Sequence, residues 1–247
     1  MTGRTLIIPA AGTGSRLGAA VPKALVPVCG VPMVVRLLNL YQSWVDNVVV
    51  VVSPAAREAI ATVVGAQATI AVQLHPTGML DAILAAAPDV PSRSTAVWIT
   101  WCDQVAVEPA TLARLAAHMA ADPSVALVLP TVQRSNPYIH LQRDATNTIT
   151  GVLHRREGNE MPEEGESDMG VFGVSGRAFR ELLPAFSDAT SESSVTRERN
   201  FLPFIPWLAA HGSAITFPAT DPMEAVGVNT PEELGIVEGY LRARNRA

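Results

Sequence analysis

The chain has 247 residues, of which 48% are hydrophobic and 17% are charged, and its formal net charge is −5. This composition predicts one or two folded domains with a sizeable core and argues against a disordered chain. Because the net charge is negative and no cluster of cations occurs, nucleic acid is not predicted as a partner. A few local cations could still bind a small anionic substrate.

Cysteine content and apolar runs bear on the compartment. The two cysteines, Cys29 and Cys102, are far apart in the sequence and predict free thiols in a reducing environment. Glycine and charge interrupt the N-terminal apolar run, which therefore lacks the core of a signal peptide. Every apolar run is far shorter than a membrane span. The sequence predicts a soluble cytoplasmic protein without a membrane partner.

Short apolar segments alternate with helical patterns through the first half of the chain. Strands are predicted at residues 5–9, 47–52, 69–73, 96–101 and 125–132, and helices at 31–44, 54–64, 78–87 and 109–121. Fully apolar strands separated by helices predict a parallel sheet that is covered on both faces. Ligands of such sheets lie beyond the carboxyl ends of the strands. The loop after Pro9 and the segment at Asp103 fit that rule.

The second half has a different pattern. A hairpin is predicted from residues 138–142 and 148–154, an acidic mobile loop at 158–167, and a strand at 169–174. Helices are predicted at 200–210 and 231–244, the last with Thr230 as its N-cap. No repeat or low-complexity linker separates the halves, so the second half is expected to join the same sheet.

A glycine-rich loop follows the first strand and contains Ala10, Ala11, Gly12, Thr13, Gly14, Ser15, Arg16, Leu17 and Gly18. A tight strand-to-helix turn is one interpretation. A dinucleotide fingerprint would need glycine in place of Leu17, and a P-loop would need a Gly-Lys-Ser/Thr triplet that is missing. A nucleotidyltransferase loop fits, because glycine N–H groups can approach phosphate oxygens closely. Arg16 and Lys23 would then neutralise a polyphosphate.

Gly-Thr-Gly-Ser-Arg-Leu followed, after five residues, by Pro-Lys-Ala-Leu resembles the N-terminal signature of the nucleoside triphosphate transferases, which include the sugar-1-phosphate nucleotidyltransferases. Three later segments resemble the same family in the same order: Gln73 to Gly78, Cys102-Asp103, and Gly227 to Thr230. The resemblance implies a Rossmann-like α/β fold of the GT-A type. Such a fold has a mostly parallel sheet, helices on both faces and a smaller β-rich half. It also implies a single domain, with residues 1–132 binding nucleotide and 133–247 binding the acceptor.

The resemblance also implies roles for particular residues. Arg16 and Lys23 would be catalytic, against the departing pyrophosphate and the α-phosphate, and Asp103 and Asn229 would hold Mg²⁺. Nucleotide would be bound by Ala10, Ala11, Gly12, Thr13, Gly14, Ser15, Gln73 and Gly78. The reaction would be attack of an acceptor phosphate oxygen on the α-phosphorus of an NTP, with pyrophosphate leaving in line.

The acceptor pocket departs from the N-acetylglucosamine-1-phosphate uridylyltransferases, which the chain resembles in the order of its segments. Where those enzymes have Tyr-Gly-Arg, this chain has Tyr138-Ile139-His140, and where they have a glutamate it has His154. Where they have Glu-x-Asn-Thr-Gly, this chain has Glu-Ser-Asp-Met-Gly at residues 166–170. Several contacts to a sugar are therefore replaced. The acceptor-binding candidates are Tyr138, His140, His154, Arg155, Asp168, Glu198 and Asn200.

Four functions are considered. The first is nucleotidyl transfer to a sugar 1-phosphate. The second keeps the chemistry and changes the acceptor, as a cytidylyltransferase for a polyol phosphate or phosphonate or as a molybdenum-cofactor relative. The third is a non-catalytic nucleotide-binding relative, against which the intact Arg16, Lys23, Asp103 and Asn229 argue. The fourth is a glycosyltransferase, which would typically have Asp-x-Asp where this chain has Cys102-Asp103-Gln104. The predicted partners are an NTP and a small phosphorylated acceptor, and a homodimer is also considered.

Overall fold

Residues 3–12, 14–211 and 213–244 are described by a computed structural model. Its strands are β1 Arg4–Pro9, β2 Pro27–Val28, β3 Val31–Pro32, β4 Asn47–Val52, β5 Thr69–Val72, β6 Ala96–Thr100, β7 Leu127–Ser135, β8 Ile139–Arg143, β9 Ile149–His154, β10 Glu164–Asp168, β11 Val171–Ser175 and β12 Ala214–Pro218. Its α-helices are α1 Met33–Tyr41, α2 Arg57–Val64, α3 Met79–Ala85, α4 Pro109–Ala121, α5 Leu183–Ala189, α6 Phe204–His211 and α7 Pro231–Arg244.

One large sheet joins the two halves of the chain. Its order is β10-β7-β11-β6-β1-β4-β5, and β12 pairs with β7. The strands β6, β1, β4 and β5 are parallel neighbours, whereas β11 runs antiparallel to both β6 and β7. The prediction of an α/β fold with a mostly parallel sheet is confirmed, and the antiparallel strand lies where the second half meets the first.

The core occupies both faces of this sheet because its central strands are apolar throughout. Leu6 and Ile8 of β1 pack on one face with residues of α1, α2, α4 and α7. Ile7 packs on the opposite face with residues of α3, α5 and α6. All three side chains are fully buried, and each contributes about 1.5–3 kcal/mol through the hydrophobic effect. Two-sided burial therefore explains why the strands show no alternation of polar and apolar residues.

The predicted helix 31–44 is too long at both ends. Val31–Pro32 forms β3 and pairs with β2, so α1 begins at Met33. It ends at Tyr41, and the following residues turn towards β4.

The predicted loop 158–167 is wrong for its last part, because residues 164–167 belong to β10, whereas residues 158–163 form neither helix nor strand. This strand pairs antiparallel with β7, with Ser167 opposite Val132. Arg143 of the neighbouring hairpin holds Glu166 with two hydrogen bonds of 2.7 and 2.8 Å. Backbone pairing and an ion pair thus order a segment whose acidic sequence resembles a loop.

The hairpin of β8 and β9 is confirmed, and so is the turn around Asp144. The sequence analysis missed β12 and the helical segment 178–189, in which a π-helical turn at Ala178–Leu182 continues into α5. Smaller differences concern ends: β5 stops at Val72 and β6 at Thr100, whereas β11 starts at Val171. Within the described ranges, none of the helices has the length and apolarity that a bilayer crossing requires.

Candidate active site

The glycine loop continues from β1 and packs directly against Lys23. The Ala10 N–H donates to the Val51 carbonyl oxygen at 2.7 Å, so Ala10 still belongs to the sheet hydrogen bonding. Gly14 has φ +63°, and a Cβ at this position would lie 2.7 Å from the Lys23 Cβ. Only glycine therefore lets the loop approach this lysine. Ser15 begins a 3₁₀ turn, Gly12 is exposed beside Ala11, and Thr13 lies outside the described residues.

Lys23 is the centre of a hydrogen-bonded cluster that joins three distant parts of the chain. Its Nζ donates to Asp103 Oδ2 at 2.5 Å and to Asn229 Oδ1 at 2.7 Å. The exposed Arg16 donates from Nη2 to the same Asn229 oxygen at 3.2 Å. Lys23 and Asp103 are each only 9% exposed, so this ion pair is poorly screened by water. The structure thus brings together all four residues predicted to be catalytic or metal-binding.

Local structure places each member of the cluster. Lys23 begins a 3₁₀ turn immediately after Pro22, and Asp103 follows the end of β6. The Val228 N–H donates to the Asp103 carbonyl oxygen at 3.2 Å, which fixes the Asn229 segment beside it. The predicted N-cap of α7 is confirmed, because the Thr230 Oγ1 accepts from the Glu233 N–H at 3.2 Å.

The oxygen atoms of this cluster fit a small divalent cation. Asp103 Oδ1 is buried and lacks a hydrogen-bond partner among the described residues. Asn229 Oδ1 faces the same lysine as the other Asp103 oxygen. No group of three or more His, Cys, Asp or Glu side chains suited to a metal occurs in the described part of the chain. Two protein oxygens leave positions for phosphate and water, which is the arrangement that Mg²⁺ prefers.

The segment of Gln73 and Gly78, which was predicted to bind nucleotide, is ordered by its own contacts. The buried Gln73 donates from Nε2 to the Gly78 carbonyl oxygen at 2.9 Å, so these two predicted residues do meet. Gly78 itself directly precedes α3 and packs against the backbone of Arg199.

A cavity of about 360 Å³ adjoins the lysine cluster. Arg16, Asp103 and Asn229 line one part of it. Five of the predicted acceptor-binding residues line it as well, namely Tyr138, His154, Asp168, Glu198 and Asn200. Gln73 and Gly78 are not among its lining residues, although Met79 is. The cavity is therefore built mainly from the second half of the chain.

Contacts among the lining residues order one wall of the cavity. Asn200 Nδ2 lies 3.0 Å from His154 Nδ1, and the ring of Tyr138 meets the His154 ring edge-on with centroids 5.2 Å apart. Arg156 pairs with Glu198 at 2.7 Å across the cavity edge. These contacts tie the β8–β9 hairpin to the segment that precedes α6.

Two predicted acceptor-binding residues are directed elsewhere. His140 Nδ1 lies 3.3 Å from the Glu166 carbonyl oxygen, and the ring packs over Gly165. Arg155 donates to Asn136 Oδ1 at 2.5 Å and to the Pro137 carbonyl oxygen at 3.1 Å. Neither residue lines the cavity, because β8 and the turn after β9 direct these side chains away from it.

Burial shifts the pKa values of two ionisable groups of the cavity wall, His154 and Asp168, in opposite directions. Burial lowers the pKa of His154, and the charge of Arg156 lowers it further, whereas the charges of Glu157 and Glu198 act in the opposite direction. Because the net shift is downward, the imidazole is neutral at pH 7. Burial raises the pKa of Asp168 to about 6, although the Gly170 N–H and the charge of Arg134 act in the opposite direction. The wall therefore presents a neutral imidazole and a carboxylate that titrates close to neutrality.

The sequence analysis missed several lining residues, among them Trp101, Gln104 and Arg134. Trp101 and Gln104 flank the Cys102-Asp103 pair beyond β6, where the rule on carboxyl ends of strands could have identified them. Arg134 near the end of β7 donates to the Ala225 carbonyl oxygen at 2.5 Å. Nothing in its own sequence neighbourhood distinguishes it from other surface arginines.

A glycine loop, a buried lysine–aspartate pair and an adjoining cavity, all at the carboxyl edge of an α/β sheet, define a nucleotide-binding class of protein. The chain belongs to the family described as the MobA-like NTP transferase domain, whose profile matches residues 6–167. The resemblance to the nucleoside triphosphate transferases is thereby confirmed, and the protein is by family a nucleotidyltransferase.

Curated relatives agree with this family. The chain is 27% identical over 245 residues to a protein of Pelotomaculum thermopropionicum named bifunctional protein GlmU, covering 96% of this chain and 52% of the relative. Proteins of the same name from Paracoccus denitrificans and Thermus thermophilus are 29% and 27% identical, each over 98% of this chain and 53% and 52% of the relative. The chain therefore spans about half the length of the curated relatives that it matches.

Proposed function

We propose that this chain transfers a nucleotidyl group from an NTP to the phosphate of a sugar 1-phosphate. An acceptor phosphate oxygen forms a bond to the α-phosphorus while the bond to the bridging oxygen breaks, and pyrophosphate leaves with that oxygen. The observation that carries the proposal is the cluster of Lys23, Asp103, Asn229 and Arg16 beside an acceptor-sized cavity. In this proposal the two halves of the chain act as one nucleotidyltransferase domain.

The protein's contribution is positioning and charge stabilisation, because a phosphate dianion is already nucleophilic. Lys23 stabilises the charge that develops on the α-phosphate, and Arg16 binds the departing pyrophosphate through its exposed guanidinium. The N–H groups of the glycine loop bind phosphate oxygens. Asp103 and Asn229 would hold Mg²⁺, which would neutralise phosphate charge when bound.

The test measures pyrophosphate release with Mg²⁺, each of the four NTPs and a panel of phosphorylated acceptors. The panel contains N-acetylglucosamine 1-phosphate, another hexose 1-phosphate, a polyol phosphate and an aminoalkylphosphonate. We expect release that requires one NTP together with one acceptor class.

Two variants connect the activity to the cluster. Lys23→Ala should lower kcat at least about a hundredfold, as removal of one preorganised charge contact does elsewhere. Arg16→Ala should also lower the rate, whereas Arg57→Ala on the exposed surface of α2 should leave it unchanged. Release that survives Lys23→Ala, or the absence of release from the wild type with every NTP and acceptor, would contradict the proposal.

A second candidate keeps the chemistry and changes the acceptor to a polyol phosphate or phosphonate. It is favoured by the replaced cavity wall, in which His154 and Asp168 stand where the resembling sugar enzymes have glutamate and asparagine. Turnover restricted to a hexose 1-phosphate in the same panel would eliminate it.

A further inference from the structure

Gln104 has a buried side chain whose hydrogen-bonding capacity is left unused. It is only 7% exposed, and its Oε1 is buried without a partner among the described residues. A buried amide oxygen without a partner costs free energy, and protein interiors rarely retain one. The residue lines the cavity next to Asp103, so a molecule bound in the cavity would lie beside it.

Packing holds this side chain in place. A Cβ on Gly170 would lie 2.9 Å from Gln104 Cγ and 2.3 Å from Trp101 Cδ1, and Gly170 has φ +68°. A Cβ on Gly227 would lie 3.1 Å from Gln104 Nε2. The glutamine therefore lies in a slot that exists only because both neighbours are glycines. Its position is fixed by these contacts, and its amide oxygen has no hydrogen-bond partner among the described residues.

The surroundings assign Gln104 to the acceptor. Most residues that line the cavity with it come from the second half of the chain, including Tyr138, Asp168 and Asn200. The segment of Gln73 and Gly78, by contrast, lies outside this lining. A chemical group that binds against Gln104 therefore belongs to the acceptor, the molecule that receives the nucleotidyl group.

The chemistry of the oxygen specifies what that group must be. An amide oxygen accepts hydrogen bonds, and a phosphate dianion has no proton to donate. Nearby, Asp168 is a further acceptor, with its Oδ2 taking the Gly170 N–H at 2.8 Å. This wall consequently requires a donor on the carbon skeleton of the acceptor.

We propose that Gln104 determines acceptor specificity, and that its Oε1 accepts a hydrogen bond from a hydroxyl or ammonium group that the acceptor carries beside its phosphate. This inference rests on the proposed function and adds a residue and a substrate feature to it. Nothing in the glycine-loop signature points to this position.

The test replaces Gln104 with methionine, which has a similar shape and lacks the amide. With the acceptor that the wild type uses, Gln104→Met should lower kcat/KM for that acceptor at least about tenfold and change the KM of the NTP by less than about twofold. The melting temperature should stay the same or rise, because the substitution removes an unpartnered buried oxygen. Gln67→Met, at an exposed turn, serves as the matched control.

Analogue pairs then identify the donor. A hexose 1-phosphate is compared with its deoxy analogue, and aminoethylphosphonate with propylphosphonate. The wild type should prefer the molecule that carries the donor, and Gln104→Met should lose that preference. The pair that shows the effect distinguishes a hydroxyl from an ammonium donor.

The outcomes separate the two proposals. An active wild type with unchanged acceptor kinetics in Gln104→Met would overturn the role of Gln104 alone. A lowered melting temperature with equal losses for both substrates would show a structural role and overturn it as well. A wild type that releases no pyrophosphate with any acceptor would overturn the proposed function and this inference with it.

Discussion

Removal of the Lys23 charge should destabilise the folded protein. Lys23→Met leaves the Asp103 carboxylate in a site where it is 9% exposed and where the ion-pair distance was 2.5 Å. Breaking such a buried pair costs about 3–5 kcal/mol, because the remaining charge is uncompensated. The Lys23 and Asp103 side chains are still 10% and 13% exposed to solvent, so we expect a cost at the lower end of this range, about 3 kcal/mol. In a chain of this length, this corresponds to a fall in Tm of roughly 6–12 °C.

The assay is urea denaturation of four proteins: wild type, Lys23→Met, Asp103→Asn and the double variant. Asp103→Asn preserves the shape of the side chain and removes its charge. In the double variant no uncompensated charge is left, so it should recover much of the stability lost in Lys23→Met. We expect a coupling of about 1–3 kcal/mol between the two sites. Costs that add within about 0.5 kcal/mol would refute the reasoning.

Magnesium provides a second measurement on the same variants. In Lys23→Met the lysine no longer occupies Asp103 Oδ2, so a divalent cation at this position should replace the missing charge. Millimolar Mg²⁺ should therefore raise the Tm of Lys23→Met more than that of the wild type. Adding Asp103→Asn should abolish the difference. Equal Tm increases in all four proteins would show that the cation does not bind at Asp103.

Three further predictions concern other features of the molecule. Lys23 is the only lysine in the sequence, so it is the one side-chain amine that an amine-selective reagent can modify, and it should react slowly because it is 9% exposed and paired with Asp103. Modification of Lys23 should abolish pyrophosphate release; peptide mass mapping should locate it, and NTP with Mg²⁺ should protect it. Glu224 is fully buried and accepts hydrogen bonds from Thr111 Oγ1 and the Glu108 N–H, so Glu224→Ala should cost about 2–4 kcal/mol in urea denaturation, and a loss below about 0.5 kcal/mol would contradict this. Burial raises the pKa of Asp168 to about 6. Its contribution to the free energy of unfolding is therefore most favourable at low pH, declines as pH rises from about 4 to about 6, and is constant above about pH 6. Asp168→Asn should remove this dependence, and parallel curves of stability against pH for the wild type and the variant would contradict the prediction.

The sequence predicted the first half of the fold well because two-sided burial leaves a clear pattern. The strands β1, β4 and β6 are nearly continuous apolar runs, and such runs have few alternatives in an α/β chain. The strand β10 was not recognisable, since its acidic residues pair with β7 through the backbone and with Arg143 through charge. Contacts that are distant in the sequence decide this strand, and local composition does not record them.

For the candidate site, the sequence predicted the lysine cluster better than the lining of the cavity. Lys23, Asp103 and Asn229 come from three short segments that each resemble the family, and the structure brings them together. The lining of the cavity depends on the direction of each side chain, which a 3₁₀ turn at Arg155–Glu157 changes from one residue to the next. Arg155 consequently donates to Asn136 Oδ1 and to the Pro137 carbonyl oxygen, while Arg156 lines the cavity.

The end of β6 serves two functions in this architecture. β6 lies between β1, which leads into the glycine loop, and β11, which begins just after Gly170. Parallel neighbours place their carboxyl ends at one edge, so Asp103 meets Lys23 there. The antiparallel β11 starts at the same edge, and the Trp101 N–H donates to the Gly170 carbonyl oxygen at 2.9 Å. A single short turn thus holds Asp103, which pairs with the lysine, and Trp101 and Gln104, which line the cavity, so a shift of this turn would alter both at once.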